Sequence, residues 1–268
     1  MDRPPLTPIP PAPSAEAAFT ARVRERFGRR AQAYRQHARL QRAVAWRLAH
    51  LLARCGGGAL PGGPAADLGA GSGLLGEALQ EHGLAGPLLQ LDLCPELLAA
   101  SPLARGHGHC HWDLNAGLPS ELRGAGLLCS SFALQWLEQP AAQLELWCGH
   151  LAPGGWLALA LPTAESFPQW HRAAARAGVP FSGLALPASA PLLAVAEQHL
   201  ELRHRQLLRF SPSQGDGRRF LGSLRAIGAV GSRAPRLGSA ELRRLLQHWP
   251  SAEGITWTVL LLIGRRRN

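Results

Sequence analysis

The chain has 268 residues, 46% of them hydrophobic, which suits one α/β domain with a full core and is too apolar for a disordered chain. No run of eighteen or more apolar residues occurs, which argues against a membrane-spanning helix, and the start MDRPPLTPIPPAPSAEAAF has neither the basic nor the apolar region of a signal peptide. The formal charge is +10 and all 28 Lys-or-Arg positions are arginine; this favours an acidic partner, a signal discounted here because a composition rich in Ala, Gly, Pro and Leu can come from the genome rather than from function.

In chain order, residues 1–16 read as an extended or disordered proline-rich tail. Residues 17–55 read as one or two helices, with Val44, Leu48, Leu51 and Leu52 on one face and arginines opposite. GGGALPGG (56–63) breaks the pattern. From about 64 to 162 strands and helices alternate. AADLGA is a strand, LLGEALQEHG a helix, PLLQLDL (87–93) a strand and PELLAASPLA a helix. A weak third strand precedes the loop CHWDLN, GLLCSSF (126–132) is a fourth, ALQWL starts the next helix, and AAQLELWCGHL is a helix that turns at APGG into the strand WLALALP. Such alternation predicts a parallel sheet with helices on both faces.

The remainder, 163–268, is less regular. SFPQWHRAAARAG, RRFLGSLRAIGAVGS and SAELRRLLQHW read as helices, ELRHRQLLRF as an exposed strand, and ITWTVLLLIGRR as a strong final strand. Cys55, Cys94, Cys110, Cys129 and Cys148 are scattered, odd in number and without a Cys-x-x-Cys pair. They argue against a disulfide framework and fit a reducing cytoplasm. GHGHCHW gathers His107, His109 and His111 around Cys110 but lacks the second half of a zinc site, and reads as a solvated loop.

ADLGAGSGLLGEAL (66–79) carries the chemistry. Gly69, Gly71 and Gly73 alternate behind Asp67. A P-loop needs a lysine, which the chain lacks, and the Gly-x-Gly-x-x-Gly dinucleotide spacing fails at Leu74. A carboxylate at the loop entrance suits a cationic ligand, and S-adenosylmethionine has both an ammonium and a sulfonium. Asp92, at the next strand end, is placed to accept from ribose hydroxyls, and Asp113, after the third, from an adenine amino group. The residues expected to line this crevice are Asp67, Gly69, Ala70, Gly71, Gly73, Asp92, Leu93, Asp113, Leu114 and Ser130.

DLGAGSG, LDLCPELL and LAPGGWLAL resemble the class I S-adenosylmethionine-dependent methyltransferases. RFGRRAQAYRQHARLQ (26–41), SSFALQW (130–136), FLGSLRAIGAVGSR (220–233) and WPSAEGITWTVLLLIGRR resemble, more narrowly, the malonyl-acyl-carrier-protein O-methyltransferases of biotin synthesis. Where that family carries an acid, an asparagine, a lysine and a tyrosine, this chain has Gly126, Ser131, Arg225 and Trp257. The resemblance implies a Rossmann-like, mostly parallel seven-stranded sheet forming one domain over 17–268, with a helical cap (17–55), a cofactor half (64–162) and a substrate half (163–268). It also implies methylation of the free carboxylate of malonyl-acyl carrier protein or malonyl-coenzyme A.

On that reading Arg225 grips the substrate carboxylate, Tyr34 offers a ring face and a phenol, and Gln135 and Trp136 line the acceptor pocket. Arg22, Arg24, Arg26, Arg29, Arg30, Arg35 and Arg39, with Arg218, Arg219 and Arg233, are candidates to dock an acidic carrier protein. Neither nucleic acid nor membrane is an expected partner, and no metal is expected. The alternatives are another small carboxylic acid or a quinone as acceptor, a dinucleotide-dependent oxidoreductase, and a non-catalytic nucleic-acid-binding protein.

Overall fold

A computed structural model describes residues 14–56, 62–84, 86–105, 108–211, 216–250 and 253–267. The expected tail over 1–13 and most of the 56–63 breaker lie outside the described residues, as does His107. The N-terminal segment forms three helices rather than one or two: α1 (Ala15–Gly28), α2 (Ala31–His37) and α3 (Arg39–Gly56). Helix α1 begins earlier than expected, because Ser14 caps it by accepting from the Ala17 amide at 3.1 Å. The first break falls where Gly28 passes close to Glu96, whose carboxylate would lie 3.1 Å from any added Cβ. The second falls at Ala38, which is fully buried in a non-helical conformation.

The strands are β1 (Ala65–Leu68), β2 (Leu89–Asp92), β3 (His109–His111), β4 (Ala125–Ser131), β5 (Leu151–Pro162), β6 (Leu200–Phe210) and β7 (Trp257–Arg266). Between them run α4 (Leu74–Glu81), α5 (Pro95–Ala99), α6 (Pro140–His150), α7 (Pro168–Ala177), α8 (Ser189–His199), α9 (Gly217–Ala226) and α10 (Ser239–Gln247). They form one seven-stranded sheet of order β3-β2-β1-β4-β5-β7-β6. All neighbours are parallel except β7, which runs antiparallel to both β5 and β6. The order reverses between β1 and β4, and ligands of open α/β sheets bind at such a switch point.

Two apolar layers enclose the sheet. One joins β1, β4 and β5 to α6 and α8 through Leu144, Trp147, Leu192 and Ala196, and the other joins them to α3 and α4 through Leu48, Leu52, Leu75 and Leu79. A third cluster, with Phe167, Trp170, Phe220, Leu245 and Trp249, packs α7, α9 and α10 against one another. Strand β6 alternates buried or half-buried with exposed residues, as its sequence predicts for an edge. ALQWL does not start a helix: Leu134–Trp136 is a single 3-10 turn, and α6 begins at Pro140, whose fixed φ suits a first helical position. Within GHGHCHW the expected solvated loop does not hold for His109–His111, which pair with β2 as the edge strand β3. Among the described residues no helix is long and apolar enough to cross a membrane.

The cap is tied down by one arginine. Arg35 of α2 donates through Nη1 to the Ser72 carbonyl at 2.6 Å and through Nη2 to both oxygens of Glu77 at 2.8 Å. Both side chains are 26% exposed, so the pair is largely withdrawn from water and geometrically complete. Arg35→Met should cost about 2 kcal/mol, the scale of a hydrogen bond to a charged group, and lower the Tm by roughly 4–8 °C in a thermal melt. A Tm equal to that of the parent would show that the cap is held by apolar packing alone.

Candidate functional site

The chain turns sharply after β1. Gly69, Gly71 and Gly73 all have positive φ (76°, 55° and 80°), a region that side chains with a Cβ seldom enter. Their roles differ. A Cβ on Gly69 would lie 2.2 Å from the Cβ of Ala133, and one on Gly73 would lie 2.2 Å from the Ser101 hydroxyl, so both are required for packing. A Cβ on Gly71 would meet nothing nearer than Leu97 at 4.0 Å, leaving its backbone open toward the crevice.

That crevice is a cavity of about 120 Å³, lined by Asp67, Gly69, Ala70, Gly71, Asp92, Leu93, Asp113 and Leu114 among others. Two expected residues stand elsewhere. Gly73 does not line the cavity, because its space belongs to Ser101. Ser130 is fully buried and donates its hydroxyl to the Leu68 carbonyl at 2.6 Å; its neighbour Ser131 faces the cavity.

The three carboxylates have different surroundings. Asp67 is 1% exposed, and neither of its oxygens has a hydrogen-bond partner among the described residues. Burial, and secondly the charge of Asp92, push its carboxyl up to about 8. Asp92 accepts from the Gly71 amide at 2.8 Å and the Cys94 amide at 2.7 Å, one on each oxygen. Burial raises it to about 6 against the lowering effect of those two bonds. Asp113 caps a 3-10 turn, its Oδ1 accepting from the Asn115 amide and side chain at 2.9 and 3.0 Å.

A second cavity, about 500 Å³, adjoins the first. Phe27, Tyr34, Gln41, Phe132 and Trp136 line both and form the wall they share. Phe27 meets Trp136 edge-on at 5.4 Å and Tyr34 at 6.1 Å. Phe132 holds φ +60°, a strained conformation for a bulky side chain. It is fixed there by its own amide donating to Ala160 at 2.8 Å and by the Gln135 amide donating to its carbonyl at 2.7 Å. Gln135 thus reaches the larger cavity as a buried brace of this turn. Tyr34 is protonated: burial, and then the negative charge of Asp92, hold its phenol well above its ordinary range.

The larger cavity is otherwise mostly apolar, with Phe167, Trp170, Leu184, Leu221 and Trp257 among its lining, and it includes Arg26, Arg225 and Arg236. No histidine, cysteine, aspartate or glutamate lines it among the described residues. Arg225 therefore lies in this cavity, exposed and away from the shared wall. Of the arginines expected to dock a partner, Arg29 pairs with Glu25, Arg35 with Glu77, and Arg233 with Glu16 while standing 4.0 Å over the Phe19 ring. Arg35 and Arg233 are thus engaged within the fold, whereas the Arg29–Glu25 pair lies on the exposed surface of α1.

Sequence reasoning missed Gln41, Phe27 and Phe132. Gln41 had a readable signal: it is a lone amide on the face of α3 that buries Val44, Ala45, Leu48 and Leu52. Phe132 had none, because its importance comes from an unusual backbone angle.

The Asp67 pKa carries a stability consequence. A carboxyl raised from 3.8 to about 8 binds its proton more tightly in the folded state. Its contribution to stability is complete below pH 4 and is lost as pH rises toward 8. Asp67→Asn escapes that loss, so its Tm advantage over the parent should widen by at least about 3 °C between pH 5 and pH 8.5, the shift expected of about 1 kcal/mol in a chain of this size. A pH-independent difference would mean that Asp67 is not ionising in a buried setting.

The chain is similar to the biotin biosynthesis bifunctional protein BioCD of Bordetella avium, at 32% identity over 238 residues, 85% of this chain and 48% of that protein. It is 35% identical over 167 residues to a malonyl-[acyl-carrier protein] O-methyltransferase of Alcanivorax borkumensis, covering 59% of this chain and 54% of that one. The match thus spans about half the length of these two relatives. With the malonyl-[acyl-carrier protein] O-methyltransferase of Magnetococcus marinus the identity is 30% over 266 residues, 93% of each chain. No protein-family model matches. Among solved structures, a Bacillus halodurans protein assigned as a methyltransferase superposes with TM-score 0.57 at 14% identity, covering 82% of this chain and 99% of that one. A SAM-dependent methyltransferase from Thermotoga maritima superposes with TM-score 0.52 at 13% identity, covering 92% and 100%. The fold is the Rossmann-like class I methyltransferase fold, and by its near full-length likeness to such a relative the chain belongs to the malonyl-[acyl-carrier protein] O-methyltransferase family.

Proposed function

We propose that the protein transfers a methyl group from S-adenosylmethionine to the free carboxylate of a malonyl thioester, carried on acyl carrier protein or coenzyme A, in biotin synthesis. The observation that carries this reading is the larger cavity, which is lined by arginines and has no general base among the described residues. A nitrogen, phenol or carbon acceptor has to lose a proton during methylation. A carboxylate is already ionised at neutral pH, since such groups titrate near 4. Tyr34 does not fill the gap, because its raised pKa keeps the phenol protonated, with an O–H to donate.

The side chains and open backbone lining the smaller cavity suit the chemistry of the cofactor. Asp67 is a buried carboxylate without a hydrogen-bond partner among the described residues, as the site of a cation requires. Gly71 opens its backbone toward the same space. Asp67, Gly69, Ala70 and Gly71 would hold the amino-acid end, Asp92 and Leu93 the ribose, and Asp113 and Leu114 the adenine. When bound, adenosylmethionine supplies an electrophilic methyl group on a sulfonium.

The chain's own residues then have positioning tasks. Tyr34 and Gln41, on the wall shared by both cavities, present a phenol and an amide as donors to the acceptor carboxylate. Phe27, Phe132 and Trp136 close that wall and exclude water, which strengthens those hydrogen bonds and favours in-line approach. Gln135 keeps Phe132 in its strained turn. The exposed Arg22, Arg24, Arg30, Arg218 and Arg219, for which no carboxylate pairing occurs among the described residues, draw an acidic carrier to this face.

The test is transfer of labelled methyl from adenosylmethionine to malonyl-acyl carrier protein, malonyl-coenzyme A and a panel of free acids. Both malonyl thioesters should be methylated at least tenfold faster than any free acid, and equal rates would overturn the reading. Tyr34→Phe should lower kcat at least tenfold while calorimetry shows S-adenosylhomocysteine binding retained. Unchanged kcat would remove Tyr34 from the acceptor site.

A further inference from the structure

We infer that Arg26, Arg225 and Arg236 form a seat for the phosphate of a phosphopantetheine arm, and that the apolar cavity between this seat and the Tyr34 wall holds the arm itself. The inference rests on the proposed function, because both malonyl thioesters named there carry that arm and its phosphate ester.

Three parts of the chain build the seat: Arg26 comes from α1, Arg225 from α9 and Arg236 from the segment between α9 and α10. Arg26 is half-buried, and its Nη1 donates to the Val230 carbonyl at 2.7 Å. The segment it grips is itself wedged. A Cβ on Gly228 would come within 2.8 Å of the Arg26 carbonyl, and one on Gly231 within 2.6 Å of the Trp136 ring. The guanidinium is therefore placed by backbone packing.

Its electrostatic setting is dominated by burial and by other arginines. Arg29, Arg35, Arg172, Arg203, Arg205 and Arg233 each pair with a carboxylate. Among the described residues no carboxylate pairs with Arg26, Arg225 or Arg236, and none lines their cavity. Burial, and then the neighbouring charges of Arg236 and Arg22, lower the pKa of Arg26 against the raising effect of Glu25, so Arg236 is a close cationic neighbour of Arg26 in the cavity that Arg225 also lines. Guanidinium groups gathered this way match the oxygens of a phosphate ester through paired N–H donors.

Position separates this anion from the reacting one. Methyl transfer has to occur at the wall common to both cavities, and Arg26, Arg225 and Arg236 line only the larger. A three-carbon malonyl unit also leaves most of a 500 Å³ cavity empty, whereas that volume is of the class that encloses a ligand the size of a pantetheine arm. The carboxylate thus goes to Tyr34 and Gln41, and the second anion of the same substrate to the arginines.

The experiment compares malonyl-acyl carrier protein, malonyl-coenzyme A, malonyl-phosphopantetheine and malonyl-pantetheine as acceptors, with calorimetry of unacylated phosphopantetheine and pantetheine beside it. The parent should show a kcat/KM at least tenfold higher for malonyl-phosphopantetheine than for malonyl-pantetheine, and measurable binding of phosphopantetheine alone. In the double variant Arg225→Ala, Arg236→Ala, at two exposed positions, that ratio should fall to near one, with S-adenosylhomocysteine binding as the check that it folds. Equal use of the two small acceptors by the parent, or a preference that survives in the double variant, overturns the inference and leaves the proposed function standing. A parent that methylates no malonyl thioester overturns the function first. If malonyl-coenzyme A alone shows the effect, the seat reads the nucleotide phosphates instead, and the inference falls.

Discussion

A carboxylate held out of water without a partner governs this molecule. Asp67 sits in β1 where the strand order reverses, with β2 on one side and β4 on the other. Its oxygens have no hydrogen-bond partner among the described residues, and burial is the first cause of its raised pKa, the charge of Asp92 the second. Folding gains nothing from such a group, since an unpaired buried charge opposes the native state. With its carboxyl raised to about 8 it holds its proton at neutral pH when alone, and a cation entering the cavity would draw out its ionisation and pair with the charge. The local rules of the glycine turn follow: Gly69 clears Ala133, Gly73 clears Ser101, and Gly71 leaves the way to the carboxylates open.

The charge in the two cavities is divided by sign. Asp67, Asp92 and Asp113 line the smaller, and Arg26, Arg225 and Arg236 the larger. Aromatic rings and one amide line both cavities where they meet, so opposite charges on two ligands would approach each other in low-dielectric surroundings. Coulomb attraction there is several-fold stronger than in water. The wall depends on the cap. Phe27, Tyr34 and Gln41 come one from each of α1, α2 and α3, and Arg35 fastens the middle helix to the carbonyl of Ser72 and the carboxylate of Glu77. The same contact links the glycine turn to the lid above it, so loosening of the cap would disturb both ligands together.

Much of this was legible in the sequence because it obeys simple periods. The alternation of strands and helices gave the sheet, and three acids at successive strand ends gave the crevice, since a side chain there has few places to point. What was misjudged has physical reasons. Strand β4 is buried on both faces, so apolar alternation offered no way to choose between Ser130, which bonds to Leu68, and Ser131, which faces the cavity. Gly73 looked equivalent to Gly69 and Gly71 by spacing, yet its neighbour is Ser101, which is remote in the motif and close in space. ALQWL has helical composition, but Pro140 starts the helix four residues beyond Trp136, and the preceding turn is set by the strained Phe132 and its brace Gln135.

Net charge was the least readable quantity. A surplus of +10 made every arginine of the cap a candidate for docking, because composition counts charges without their partners. In the structure the arginines separate by what they touch. Arg35 is a bolt between helices, and Arg233 is clasped by Glu16 and seated over Phe19. Arg26 is fixed by a carbonyl of the chain rather than by an acid, with its charge intact beside a cavity. A cation whose hydrogen bonds are partly met by a neutral backbone oxygen keeps both its place and its field. That combination distinguishes an arginine positioned to meet an anionic ligand from one spent on the fold, and it can be found only when the partners are known.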